Sequence, residues 1–179
     1  MTNLKTLISN IPDYAKDIKV NLENLLSEQN QALTQKQIFG AALASAYATK
    51  EKSLIENLEN ESTLHLSDQE LKAVKIATTL MAMNNIYYRF THIIADKEYE
   101  KMSSGLKMKG IIEHGIEKVD FEIFTLAVSI INGCAGCIDA HANQMLKHGM
   151  TKTQIQMVAK IAATINAAAQ ILTIEEISE

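Results

Sequence analysis

The stretch Asp120-Phe-Glu122-Ile-Phe-Thr125-Leu-Ala-Val-Ser-Ile-Ile-Asn132-Gly133-Cys134-Ala-Gly136-Cys137-Ile-Asp-Ala-His141 holds both cysteines of the chain and its sharpest break. Asn132-Gly133 is a stop signal between two helical patterns. The pattern after it places Cys134 in the first turn of a helix, with Cys137 one turn further on the same face and His141 a turn beyond that. On one straight helix Glu122 would lie ~22 Å from Cys137 at ~1.5 Å per residue. A reversal near Gly133 changes this. The helices then run antiparallel, and Glu122, eleven residues before the turn, approaches the level of His141, eight after it.

The same periodicity extends outward along the chain. Ile38, Ala41, Ala42, Ser45 and Ala46 fall at i, i+3, i+4, i+7 and i+8, as do Leu71, Val74, Ala77, Thr78 and Met81. Met157, Ile161, Ala162, Ile165, Ala168 and Ala169 repeat it near the end. The alanine-rich stripes favour helix and let helices approach closely. Ser67-Asp-Gln-Glu70 and Thr151-Lys-Thr-Gln154 match the capping box. Gly149, after Lys147 and His148, matches a helix C-terminus.

Composition agrees with an all-α fold. The 179 residues are 47% hydrophobic and 21% charged, with net charge −4, a single proline (Pro12), seven glycines, no Trp and 5% aromatics. A sandwich or barrel needs a turn signal every ~8–12 residues. Disorder needs fewer apolar residues and more net charge. A mildly acidic chain lacks the basic surface that nucleic acid demands. A chain of this length buries roughly 70% of its unfolded surface, so it folds without staples, and two cysteines make no disulfide scaffold.

Gly105, Gly110 and Gly115 mark a loop over 105–115, made locally basic by Lys101, Lys107 and Lys109. The expectation is a single compact multi-helix domain, 1–179, of two degenerate half-repeats, roughly 1–104 and 116–179. Asp68 then aligns with Asp120, Glu70 with Glu122, Leu71 with Ile123, and Val74 with Leu126. Cys134, Cys137 and His141 fall on Ala82, Asn85 and Arg89, so only the second half keeps the chemistry.

Chemistry concentrates at the break. A thiol at a helix N-terminus meets unsatisfied N–H groups and the positive dipole end, which favour thiolate. His141 can move a proton. Burial disfavours the charged carboxylate and suits Glu122 to proton transfer. A carboxylate–imidazole–thiol line is an activated-nucleophile arrangement. The competing reading is a metal site, C-x2-C-x3-H with Glu122 or His148 as fourth ligand. For Glu122 alone the bland reading is a first-turn carboxylate after an Asp120 N-cap. Met81-Ala-Met-Asn-Asn-Ile-Tyr-Tyr-Arg-Phe90 is a Met and aromatic cluster suited to core or subunit contact. Arg89 could hold an anion. His65, His92 and His114 have no partner type nearby in sequence, and no GxGxxG, P-loop, HExxH or GxSxG motif occurs.

The chain resembles the alkylhydroperoxidase D (AhpD) family, whose fold is shared with carboxymuconolactone decarboxylases. The resemblance lies in Pro12-Asp-Tyr-Ala-Lys-Asp-Ile-Lys-Val-Asn21, Leu43-Ala-Ser-Ala with Ala48-Thr, and Met83-Asn-Asn-Ile-Tyr-Tyr-Arg89. It continues in Phe121-Glu-Ile-Phe, Ala127-Val-Ser-Ile-Ile-Asn-Gly-Cys-Ala-Gly-Cys137 and Ala140-His141, over essentially the whole length. It implies an all-helical homotrimer that reduces organic hydroperoxides and hydrogen peroxide. It implies no bound cofactor, with electrons from the dihydrolipoamide of a lipoylated 2-oxoacid dehydrogenase acyltransferase subunit and an AhpC-type peroxiredoxin as partner. Carried over by position, Cys137 is the peroxidatic cysteine and becomes sulfenic acid. Cys134 resolves it as an intramolecular disulfide, and His141 and Glu122 form the proton relay. One departure stands out: family members often carry a histidine between the cysteines, where this chain has Gly136. One tension also stands: the dipole argument favours Cys134 as the more acidic thiol, whereas the family assigns attack to Cys137, beside His141.

Three function classes follow. The first is a thiol peroxidase. The second is a disulfide reductase that recycles a peroxiredoxin with little peroxidase activity of its own. The third is a metal-bound or ring-cleaving decarboxylase of the same fold. The N-terminal residues lack an unbroken apolar run of the signal-peptide kind. The charge-free run through Thr125 to Ile138 contains Asn132 and Gly133 and is too short for a bilayer. The expected location is the cytoplasm, with neither membrane nor nucleic acid as partner. In a reducing cytosol a close cysteine pair is more often redox-catalytic or metal-binding than structural.

Overall fold

In the computed structural model, which describes residues 3–178, the chain is all-α. The helices are α1 (Asn3–Ser9), α2 (Lys16–Leu25), α3 (Gln35–Thr49), α4 (Lys52–Ser62), α5 (Asp68–Ile93), α6 (Glu98–Lys101), α7 (Lys118–Ile131), α8 (Ala135–Lys147) and α9 (Lys152–Ser178). Short 3-10 turns lie at Asp13–Ala15 and Lys109–Ile111. Both expected capping boxes form, at Ser67 and Thr151. A third, Thr34 with Gln37, starts α3. Gly149 follows α8 with φ +86°, the left-handed conformation a helix stop requires.

Two helices form the centre. Every residue from Ile38 to Ala46 of α3 is buried, and so is every residue from Asp120 to Ser129 of α7. A helix apolar on all sides must be enclosed on all sides. Around these two pack α4, α5, α8 and α9. The α3–α7 crossing is close because Gly40 has no side chain there: a β-carbon would overlap the buried Phe124 ring. α9 is long and apolar enough to cross a membrane by length and composition. Here it is an internal helix against α2, α3 and α7, with Val158, Ile161, Ala162, Ile165 and Ala168 buried.

The two halves differ where the sequence comparison pairs them. α5 runs unbroken for 26 residues, whereas the segment that the expected half-repeat sets beside it is divided into α7 and α8 around Asn132–Cys134. Two local expectations are corrected. Asp120 is not an N-cap: Glu117 holds that position, and Asp120 is the third residue of α7, which moves Glu122 into the second turn. Cys134 is itself the N-cap of α8, with extended backbone, rather than a first-turn residue. Both shifts are of the size at which helix ends escape sequence patterns.

Asp120 instead ties α7 to α3. Gln37 Nε2 donates to one of its oxygens at 2.8 Å, and Lys36 Nζ lies 2.8 Å from the other. Lys36 also reaches Glu70 at the start of α5, at 3.1 Å. The Lys36 amine is held above its ordinary value, chiefly by its hydrogen bond to Asp120. Burial alone would raise the Glu70 carboxyl, but the Ser67 N–H, Lys36 and the Ser67 hydroxyl together hold it below the ordinary range. Lys36→Met should cost about 1–2 kcal/mol at pH 7, less than a fully buried pair because Lys36 is partly exposed. A lowered Glu70 contributes stability above the unfolded carboxylate range that is lost as pH falls through the folded value. The gap between wild type and variant in denaturant melts should therefore narrow below about pH 4. A gap constant from pH 7 to pH 3 would contradict this.

Candidate active site

The α7–α8 reversal forms as the spacing requires. The N–H groups that follow α7 fold back onto its last carbonyls: Asn132 N–H donates to the Val128 carbonyl at 3.0 Å, and Cys134 N–H to the Ser129 carbonyl at 3.2 Å. Gly133 takes φ +65° between them. α5 braces the turn from outside. Arg89 Nη1 donates to the Asn132 carbonyl at 2.7 Å. Asn132 Nδ2 donates to Asn85 Oδ1, and Asn85 Nδ2 to Ser129 Oγ, both at 3.0 Å. Arg89 is thus engaged with a helix-end carbonyl, where the partial negative charge of α7 collects.

Cys134 and Cys137 are joined as a disulfide with Cα atoms 5.3 Å apart. They open α8, so the N–H groups of its first turn point towards the sulfur end. The two cysteines differ in access: Cys134 is 0% exposed and Cys137 8%.

Glu122 and His141 meet across the reversal, with Nδ1 2.7 Å from Oε2. The same nitrogen lies 3.2 Å from Thr125 Oγ1. Thr125 has one hydroxyl proton, and it is committed to the carbonyls of Phe121 and Glu122, at 3.1 and 3.0 Å. Its oxygen therefore accepts towards His141, as does the carboxylate. Two acceptors facing Nδ1 place the proton there and leave Nε2 as the basic nitrogen of the neutral ring. Nε2 lies 3.3 Å from Met81 Sδ. A thioether has no proton to give and is a weak acceptor, so it leaves Nε2 free to gain and lose one.

All four sequence candidates thus gather at one hairpin, as two joined pairs. Thr125, Met81 and Asn85 were not singled out as site residues. Thr125 stands three residues after Glu122, the helical spacing that shares a face, and that signal could have found it. The Met and aromatic cluster is expected to serve core or subunit contact; Met81 is buried in the core and also lines the site. His148 caps the far end of α8, away from the cysteines. Among the described residues no group of three or more His, Cys, Asp or Glu is placed to hold a metal ion. Two remaining histidines stack on rings, His65 on Phe39 and His114 on Phe121. Burial holds His114 below the ordinary imidazole value, with the Glu122 charge opposing.

Residues 98–177 match the carboxymuconolactone decarboxylase family, a span that begins at α6 and contains the whole hairpin. Similarity to individual proteins reaches further. A protein of Coxiella burnetii (strain RSA 493 / Nine Mile phase I) named alkyl hydroperoxide reductase AhpD is 49% identical over 96% of this chain and 98% of its own length. The proteins of that name from Hyphomonas neptunium and Maricaulis maris are 46% and 43% identical, each over 97% of this chain and 95% and 99% of their own. Similarity of that depth and length, with the CxxC hairpin in place, makes the chain a member of the AhpD alkyl hydroperoxide reductase family.

Proposed function

We propose that the protein is an antioxidant thiol peroxidase that reduces organic hydroperoxides and hydrogen peroxide through Cys134 and Cys137, and that a lipoyl dithiol returns the pair to the reduced state. The observation that carries this is the cysteine pair at the start of α8 beside a Glu122–His141 pair whose free nitrogen is basic. The names of the relatives support the substrate class.

Cys137 is the attacking sulfur in this reading, because it is the more accessible of the two and stands one turn from His141. Its thiolate attacks the distal oxygen of ROOH. The S–O bond forms, the O–O bond breaks, and the leaving alkoxide takes a proton from the His141 imidazolium as ROH. Cys134 then attacks the sulfenic sulfur. Its proton passes through His141 to the departing hydroxide, which leaves as water, and the disulfide closes. Glu122 and Thr125 hold the resident proton on Nδ1, so that Nε2 is the nitrogen that gains and loses the transferred proton. The cytoplasm, where a thiol pair can be kept reduced, suits this cycle. Family kinship supports a homotrimer, a lipoylated acyltransferase subunit as electron source and an AhpC-type peroxiredoxin as partner. Ile86, Phe90 and Ile93, exposed and at helical spacing on α5, offer an apolar stripe for contact with further copies.

The testing experiment is peroxide consumption by the purified protein with dihydrolipoamide alone, compared with thioredoxin and glutathione. Turnover with dihydrolipoamide that is lost in Cys137→Ser, with dimedone trapping only at position 137 in Cys134→Ser, is expected. Dimedone adducts at Cys134 in Cys137→Ser with turnover kept would overturn the role assignment. No peroxide loss until a peroxiredoxin is added would favour the disulfide-reductase reading. Unchanged activity in a double serine variant would favour the non-redox class.

The relay generates a second prediction. Glu122→Gln should lower kcat/KM for peroxide by roughly 10²-fold or more, the range lost when a proton-transfer group, here His141, is no longer held in its working tautomer. Thr125→Val, which removes one of the two acceptors at Nδ1, should lower it less, by about threefold to tenfold. Equal losses in the two, or no loss in Glu122→Gln, would contradict the assignment of the tautomer to the carboxylate.

A further inference from the structure

Gly136 separates the two cysteines, and its missing side chain has a specific neighbour. A β-carbon built there would collide with the imidazole of His92, overlapping Cε1 and lying 2.5 Å from Nδ1 and 3.2 Å from Nε2. The His92 ring therefore rests on the Cα of Gly136, in the space a side chain at that position would fill. It comes from the last turn of α5, three residues beyond Arg89, whose guanidinium holds the Asn132 carbonyl of the same hairpin. One face of α5 thus supplies Asn85, Arg89 and His92 in succession to the α7–α8 turn. The ring thus stands against the turn of α8 that carries the two bonded cysteines.

Its setting is the opposite of that of His141. His141 is enclosed by Glu122, Thr125 and Met81. His92 is exposed to solvent. Lys97 and Glu100, in the segment that follows, interact with it, and by helical spacing Arg89 lies one turn back on α5 and Asp139 one turn past Gly136 on α8. Lys97 Nζ donates to the His92 carbonyl at 3.1 Å and pairs with Glu100 at 2.7 Å. Glu100 is held below the ordinary carboxylate range chiefly by its hydrogen bond to Lys97, with a smaller part from His92. The hairpin that carries the disulfide therefore has one enclosed imidazole, His141, and one exposed imidazole, His92.

We propose that His92 is the exposed proton-exchanging group of the hairpin and serves the reduction of the disulfide by an incoming dithiol. This rests on the reading of the pair as a redox centre reduced by dithiol. The neutral ring takes the proton of the first reductant thiol. That sulfur bonds to one protein sulfur as the Cys134–Cys137 bond breaks, and the displaced thiolate takes the proton from the imidazolium. The second reductant thiol displaces the remaining protein sulfur in the same way. One dithiol becomes a disulfide, one disulfide becomes two thiols, and the imidazole is regenerated. Gly136 follows from this arrangement: the position between the cysteines is vacant because a histidine from another helix occupies it.

The test is the second-order rate of reduction of the oxidised protein by dithiothreitol, from pH 6 to 9.5, for wild type, His92→Gln and Gly136→Ala. No peroxide enters the assay, so a chain that fails to turn over peroxide still gives an answer. The His92→Gln rate should fall roughly tenfold near pH 7. The deficit should close to within about twofold by pH 9.5, where the reductant thiol is already ionised and needs no acceptor. In Gly136→Ala the new methyl group displaces an exposed ring rather than the core, so the same pH-dependent deficit should appear at an unchanged Tm. Wild-type rates in both variants would overturn the proposal. So would a deficit equal at every pH, which is what a merely structural contact produces, or a wild-type disulfide that dithiothreitol does not reduce.

Discussion

The bond between His141 Nδ1 and Glu122 Oε2, 2.7 Å long, joins two helices that run in opposite directions. It depends on a chain reversal that is complete within Asn132, Gly133 and Cys134. A buried carboxylate is costly unless it is partnered, and here the partner arrives from across the hairpin. The pairing has a chemical consequence as well as a structural one. With the carboxylate and Thr125 both accepting at Nδ1, the ring is oriented and its second nitrogen is left free for the proposed proton transfer. A shift of one residue in the turn would rotate His141 by about 100° around α8 and separate the pair.

The surrounding helices hold this geometry from three directions. α3 and α7 form an enclosed pair at a crossing that depends on Gly40, and Asp120, Gln37 and Lys36 fasten the start of α7. α5 fastens the other end through Asn85 and Arg89 and places Met81 against His141 and His92 against Gly136. Rigid supports of this kind suit the proposed cycle, which needs a proton carrier and a sulfur pair kept in register. The redox pair itself sits where helix geometry helps it most, at an N-terminus with free N–H groups.

Much of this was legible in the chain. The helices announce themselves through 3.6-residue spacing and capping boxes, and Asn132-Gly133 marks the reversal. From these the meeting of Glu122 with His141 follows by counting residues from the turn. The errors lie at helix ends, where Asp120 and Cys134 moved by a few positions because the turn preceding each depends on tertiary contacts that propensity does not register. The brace from α5 was not legible for a different reason. Asn85, Arg89 and His92 precede the hairpin by about forty residues, and nothing local marks which face of a long, partly exposed helix will meet it. Gly136 is the clearest instance. In the sequence it is a departure from the family; in the fold it is the place where a distant imidazole rests.

The central claim is the protonation pattern of His141, and long-range proton–nitrogen correlation NMR reads it directly. In the oxidised protein near pH 8, the His141 ring should show the tautomer with the proton on Nδ1 and a bare Nε2. Glu122→Gln should mix or reverse the two forms, because an amide can donate where the carboxylate only accepts. A wild-type ring protonated on Nε2, or a tautomer indifferent to Glu122, would contradict the account.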